Sequence, residues 1–119
     1  MTSPQEELRK RTKQFALRAI RLFKALPKTA EAQVIGKQLL RSATSVAANY
    51  RAAGRARSQA EFIAKMGVVV EEVDESQLWL ELLVDADIVK GDRLRELIRE
   101  SDELVRIFAT SHKTAKRSR

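Results

Sequence analysis

Apolar residues recur along most of this chain at three- and four-residue spacing, the repeat of one helix face, in four stretches separated by turn and cap residues. The first stripe is Leu8, Phe15, Ala19, Leu22 and Leu26. It opens at Ser3-Pro4-Gln5-Glu6, a capping box with proline suited to the first helical position, and it stops at Pro27. Thr29 can cap a second helix whose inner positions are Ile35, Leu39, Ser42, Val46, Asn49 and Ala53, with Gly54 as a natural C-terminal stop. Ser58-Gln59-Ala60-Glu61 is another capping box. Behind it Phe62, Met66, Val69, Val73, Ser76, Leu80 and Leu83 alternate fours and threes down a long third helix. Lys90-Gly91-Asp92 ends that helix and caps a fourth, with Leu94, Leu97, Ile98, Ser101, Leu104, Val105 and Phe108 along one side. The final segment, HKTAKRSR, is polar. Residues 4–112 are expected to form a single domain and 113–119 a basic, disordered tail.

Four amphipathic helices joined by short turns predict an all-α fold, an antiparallel up-down four-helix bundle. The near-seven-residue repeats favour coiled-coil-like packing over steep crossings. Composition agrees. A chain of 119 residues supports one core, and 44% hydrophobic residues with only 5% aromatics favour helices packed through Leu, Val and Ala. There is no cysteine, which excludes a disulfide framework and a thiolate metal site. No apolar run approaches the ~18 residues of a membrane span, and MTSPQEELRK lacks the apolar segment of a signal peptide. A cytoplasmic protein is the expectation.

The net charge of +7 is unevenly distributed. From Leu8 to Ala60 there are thirteen Lys or Arg and one acid, Glu31, whereas from Glu61 to His112 there are thirteen acids and six bases. Such asymmetry fits a polyanion partner, or packing of opposite surfaces within or between subunits. At about 100° per residue, Lys10, Lys13, Arg21, Lys24 and Lys28 cluster opposite the first apolar stripe, interrupted only by Leu17. This is either a solvated face or a phosphate track that displaces counterions from nucleic acid. No aromatic residue interleaves these cations, so binding would be directed to the backbone and only weakly sequence-specific.

The second helix carries RSATSVAANYRAAGRAR, residues 41–57, whose small side chains allow close approach on more than one side. Ser45 and Asn49 fit close helix packing, while Arg41, Arg51 and Arg55 can bind phosphate or pair with carboxylates. The third helix supplies those carboxylates. Glu72, Glu75 and Trp79 share one flank, and Glu71, Asp74, Glu81, Asp85 and Asp87 add acidic surface. Two carboxylates one turn apart can ligate a metal or act as acid and base. Metal-binding bundles, however, set Glu-x-x-His pairs on facing helices, and the sole histidine here is His112 near the end of the chain. All four glycines are isolated, so no phosphate loop is present. Neither metal, cofactor nor catalysis is expected; pairing with arginine is the expected use of these acids.

With these residues in place, the string from Arg41 to Leu83 resembles the four helix bundle proteins of bacteria, also called 23S rRNA intervening sequence proteins, and the related accessory proteins of diversity-generating retroelements. The Arg-x-Ala-x-Ser-x-x-x-Asn element is matched by Arg41, Ala43, Ser45 and Asn49. The following Arg and Ser-x-x-Glu-Phe are matched by Arg55 or Arg57, Ser58, Glu61 and Phe62, and Glu-x-x-x-Trp-Leu-Glu by Glu75, Trp79, Leu80 and Glu81. Many relatives have glycine four residues after the asparagine; here Gly54 is five after Asn49. The resemblance implies a homo-oligomer, a barrel-like pentamer, with no assigned catalytic activity. For the retroelement relatives it implies a basic surface that binds nucleic acid and a reverse transcriptase. Two readings follow. One is an oligomeric bundle that binds RNA or DNA backbone through Lys10, Lys13, Arg21, Lys24 and Lys28. The other is a protein–protein assembly or adaptor module with no nucleic-acid ligand, built on Arg41, Ser45, Asn49, Arg51, Arg55, Glu72, Glu75 and Trp79.

Overall fold

The computed structural model describes residues 2–118. Four helices account for nearly all of them: α1 (Pro4–Ala25), α2 (Ala30–Gly54), α3 (Gln59–Asp85) and α4 (Gly91–Arg117), with no strand among the described residues.

Local chemistry explains most of the boundaries. The Ser3 hydroxyl accepts from the Glu6 N–H at 3.1 Å, and the Ser58 hydroxyl accepts from the Glu61 N–H at 3.0 Å; each satisfies a first-turn donor. Pro4 occupies the first turn of α1, and Glu6 and Glu7 complement its positive end. Pro27 pushes Leu26 into an extended conformation, which ends α1. The turn that follows is closed by Gln33, whose amide donates to the Pro27 carbonyl at 2.9 Å.

Several ends differ from the sequence expectation. Thr29 precedes α2, but its side chain makes no capping bond. Gly54 is the last residue of α2 without adopting positive φ; the turn closes through the Arg55 N–H instead. Helix α3 stops at Asp85, five residues before the expected Lys90, and Asp92 lies inside α4 while Lys90 takes the cap position. The earlier stop has a clear cause. Asp87 sits at φ 59, its N–H bonds the Val84 carbonyl, and the Ile88 N–H reaches back to Leu83, which together form a Schellman motif. The segment expected to be a disordered tail is helical as far as Arg117, with Ala115 buried and its carbonyl accepting from Gln59 at 3.2 Å. That anchor outweighs the polarity of the segment; Arg119 lies outside the described residues.

The helices pack as a bundle measuring 47 × 29 × 19 Å. The α2–α3 interface is the broadest, followed by α3–α4 and α1–α2, while α1 and α4 meet along a narrow seam. The core is built on Phe15, Leu39, Val46, Met66, Val69, Val73, Leu80, Leu83, Leu104 and Phe108. Ile35 and Asn49, expected inside, are half-buried, whereas Tyr50 is buried against Phe108 with ring centroids 5.1 Å apart.

Four buried hydroxyls interrupt this apolar interior, and each finds an acceptor. Thr12 donates to the Arg9 carbonyl and Ser101 to the Ile98 carbonyl. Across the α2–α3 interface the Ser42 and Ser76 oxygens are 2.7 Å apart. Each hydroxyl has one proton, and Ser76 has the Glu72 carbonyl within reach at 2.8 Å. The Ser42 hydroxyl likewise has a carbonyl within reach, that of Leu39 at 3.2 Å, so either serine can donate between the helices while the other donates to its own backbone. Small side chains at this level let the two backbones approach. Gly67 does the same for α4, since a Cβ there would lie 3.3 Å from the His112 imidazole. The histidine, near the end of the chain, is thus half-buried on a helix.

Candidate nucleic-acid interface

Helix periodicity puts the apolar stripe of α1 into the core and leaves its cations outside. Lys10, Lys13, Arg21 and Lys24 are all exposed on α1. Lys28 is exposed too, but α1 ends at Ala25, so Lys28 belongs to the α1–α2 turn and not to the helical track. Leu17, among these cations, is half-buried.

The N-terminal half of this face borders a groove of about 610 Å³ between α1 and α2. Arg9, Lys10 and Lys13 line it from α1, Arg51 from α2, and Ala47 and Ala48 line its α2 side. Glu6 is the single acid among the lining residues. None of the four cations is held in an ion pair among the described residues. The alanines matter because larger residues at 47 and 48 would fill the space between the helices. Arg9 and Arg51 complete this arrangement; the sequence pattern does not single out Arg9, and it leaves Arg51 open between phosphate and carboxylate partners. The signal was weak: Arg9 lies at the edge of the helical projection, and nothing local aligns residue 51 with residues 9–13.

The other arginines have different surroundings. Arg41 spans from α2 to α3, with Nη2 2.5 Å from Glu75 and Nη1 3.3 Å from Glu72. Attraction to Glu72, followed by the hydrogen bond to Glu75, raises the guanidinium above its ordinary value. The Glu72 Oε2 atom is enclosed and, apart from this ionic contact, lacks a hydrogen-bond donor. Arg55 is exposed just beyond α2, without an ion pair among the described residues. Ser45 and Asn49 satisfy each other within α2: the Asn49 amide donates to the Ser45 carbonyl and hydroxyl, both at 2.9 Å. Trp79 is half-buried, and its enclosed indole N–H has no acceptor.

One ionic cluster was not anticipated. Arg11 reaches across the narrow α1–α4 seam to Glu100 at 2.7 Å and Glu103 at 3.1 Å. Hydrogen bonding to Glu100 is the main reason its guanidinium is raised above the ordinary value. The one-turn spacing of Glu100 and Glu103 was visible in the sequence, but their partner on α1 was not. Arg11 is thereby removed from the cations available to a ligand.

On the outer side of α3, Glu71, Asp74, Glu81 and Asp85 are exposed, with Leu78 among them at 47% exposure and Val68, about one turn before Glu71, at 36%. No three His, Cys, Asp or Glu side chains come together as a metal site among the described residues. No helix among them is long and apolar enough to cross a membrane.

Comparison with known proteins agrees with this architecture. A crystal structure of a protein of unknown function from the S23 ribosomal protein family of Bacteroides thetaiotaomicron superposes with a TM-score of 0.84 at 31% identity, covering 92% of this chain and 97% of that one. No curated protein matches the chain. The family model described as 23S rRNA-intervening sequence protein matches residues 5–110. With the four helices and that near-complete match together, the chain belongs to the 23S rRNA-intervening sequence protein family.

Proposed function

We propose that this protein is a non-enzymatic, cofactor-free oligomeric bundle of the cytoplasm that binds RNA or DNA through backbone phosphates in the α1–α2 groove. One observation carries the reading: Arg9, Lys10, Lys13 and Arg51 converge on a groove containing a single acid. Cations held by neighbouring carboxylates, as Arg11 and Arg41 are, have much less to gain from a phosphate. Unpaired cations facing one groove can neutralise the phosphates of a polyanion and so release the counterions condensed on it. Arg21, Lys24 and Lys28 extend the positive surface beyond the groove.

An antiparallel, up-down order of the helices is part of this proposal. It is supported by the level of the contacts between them: Ser42 beside Ser76, Gln59 beside Ala115, and Arg11 beside Glu100. Salt-titrated fluorescence anisotropy with labelled RNA and DNA duplexes tests the function. Affinity should fall steeply with salt, and Lys13→Glu with Arg51→Glu should weaken binding while leaving the thermal transition in place. Undetectable binding at low salt would refute the reading.

A second reading rests on Val68 and Leu78, exposed on the acidic side of α3. That face suits docking onto the basic α1–α2 side of another copy, a head-to-tail contact that closes into a ring such as a pentamer. In this reading the assembly itself, or a protein adaptor role, is the function.

A further inference from the structure

Near the N-terminal end of α1, the basic groove adjoins a second cavity of about 330 Å³, and Arg9 lines both. This second cavity differs in kind. Leu8 of α1 and Phe62 of α3 are its half-buried apolar walls, with Tyr50, Met66 and Phe108 behind them. Gln5 and Ser111 add an amide and a hydroxyl to the lining. Its size falls within the roughly 300–1,000 Å³ of small-molecule sites. Tyr50 reports how apolar the floor is: burial raises its phenol above the ordinary value, opposed only in part by the nearby Arg9 charge.

We infer that the two cavities form one site for an unpaired nucleotide, with its phosphates in the α1–α2 groove and its base in the apolar pocket beside Phe62. This rests on the proposed nucleic-acid function and adds to it the strandedness of the ligand. Charge complementarity selects the occupant, because a purely apolar ligand would leave the adjoining cations unused. A base has a flat apolar face for Phe62 and polar edges for Gln5 and Ser111, and Arg9 lies where backbone and base diverge. The absence of aromatics among the basic residues of the sequence had suggested binding to backbone alone. The fold brings the aromatics in from other helices: Tyr50 from α2, Phe62 from α3 and Phe108 from α4. A paired duplex cannot fill this pocket without opening a base pair.

The test compares a short oligouridylate with a fully paired RNA duplex of the same length, each bound to the full chain and to two variants. Base–aromatic stacking corresponds to about 5- to 150-fold in affinity per base. Phe62→Leu, which keeps apolar volume but removes the ring, should therefore weaken single-strand binding by at least about fivefold. It should leave duplex binding within about twofold, and a thermal melt should show the variant folded. Lys13→Glu should weaken both ligands. If Phe62→Leu leaves single-strand affinity unchanged while Lys13→Glu lowers it, the base pocket is overturned and the groove stands. If the wild-type chain binds neither RNA at low salt, the groove fails and the pocket with it.

Discussion

Asp87 is the residue at which local chemistry and backbone geometry conflict most openly. It holds φ 59, a region that suits glycine, in order to complete the Schellman turn that releases α3 toward α4. Its carboxylate also stands at the negative end of a helix, where an acid is unfavourable. Both effects act in the same direction. Asp87→Gly should therefore raise stability by about 1 kcal/mol in urea denaturation. Asp87→Ala removes the charge but keeps the strained backbone, so it should fall below the glycine variant. Equal stabilities for the two variants would show that the turn stores no backbone strain.

Between elements, the α2–α3 interface depends on small side chains and on one buried hydrogen bond, shared by the Ser42 and Ser76 hydroxyls. Removing one partner of a buried hydrogen bond costs about 1 kcal/mol, and removing both costs less than the sum of the two. We expect Ser42→Ala and Ser76→Ala to show a coupling of that order in a double-mutant cycle. Strict additivity would mean that the pair contributes nothing across the interface. Periodicity made these helices legible, because burying a stripe is a local pattern that repeats every turn. Phe15, Leu39, Val46, Val73, Leu80 and Leu104 all lie where the stripes place them. The end of α3 was not legible, since no glycine marks the left-handed residue and Lys90-Gly91 is the stronger stop signal. The Arg11 clasp and the shared role of Arg9 were hidden for another reason. They depend on which helices become neighbours, and a stripe on one helix says nothing about the flank of the next.

For the molecule as a whole, the separation of charge seen along the chain becomes a separation of surfaces. The α1–α2 groove is basic, and the outer side of α3 is acidic with Val68 and Leu78 exposed. If that acidic side docks on another copy, Leu78→Arg should lower the mass in sedimentation equilibrium while circular dichroism stays helical. An unchanged mass would remove Leu78 from any interface. The proposal that free cations of the α1–α2 groove hold nucleic-acid phosphates stands or falls on the salt dependence of binding. If all four cations neutralise a phosphate of duplex DNA, the logarithm of affinity should fall with the logarithm of salt at a slope of about −3.6. Charge reversal at Lys13 and Arg51 should weaken binding and make the slope shallower by about 2. No detectable binding at low salt, or a double variant with wild-type affinity and slope, would contradict the claim.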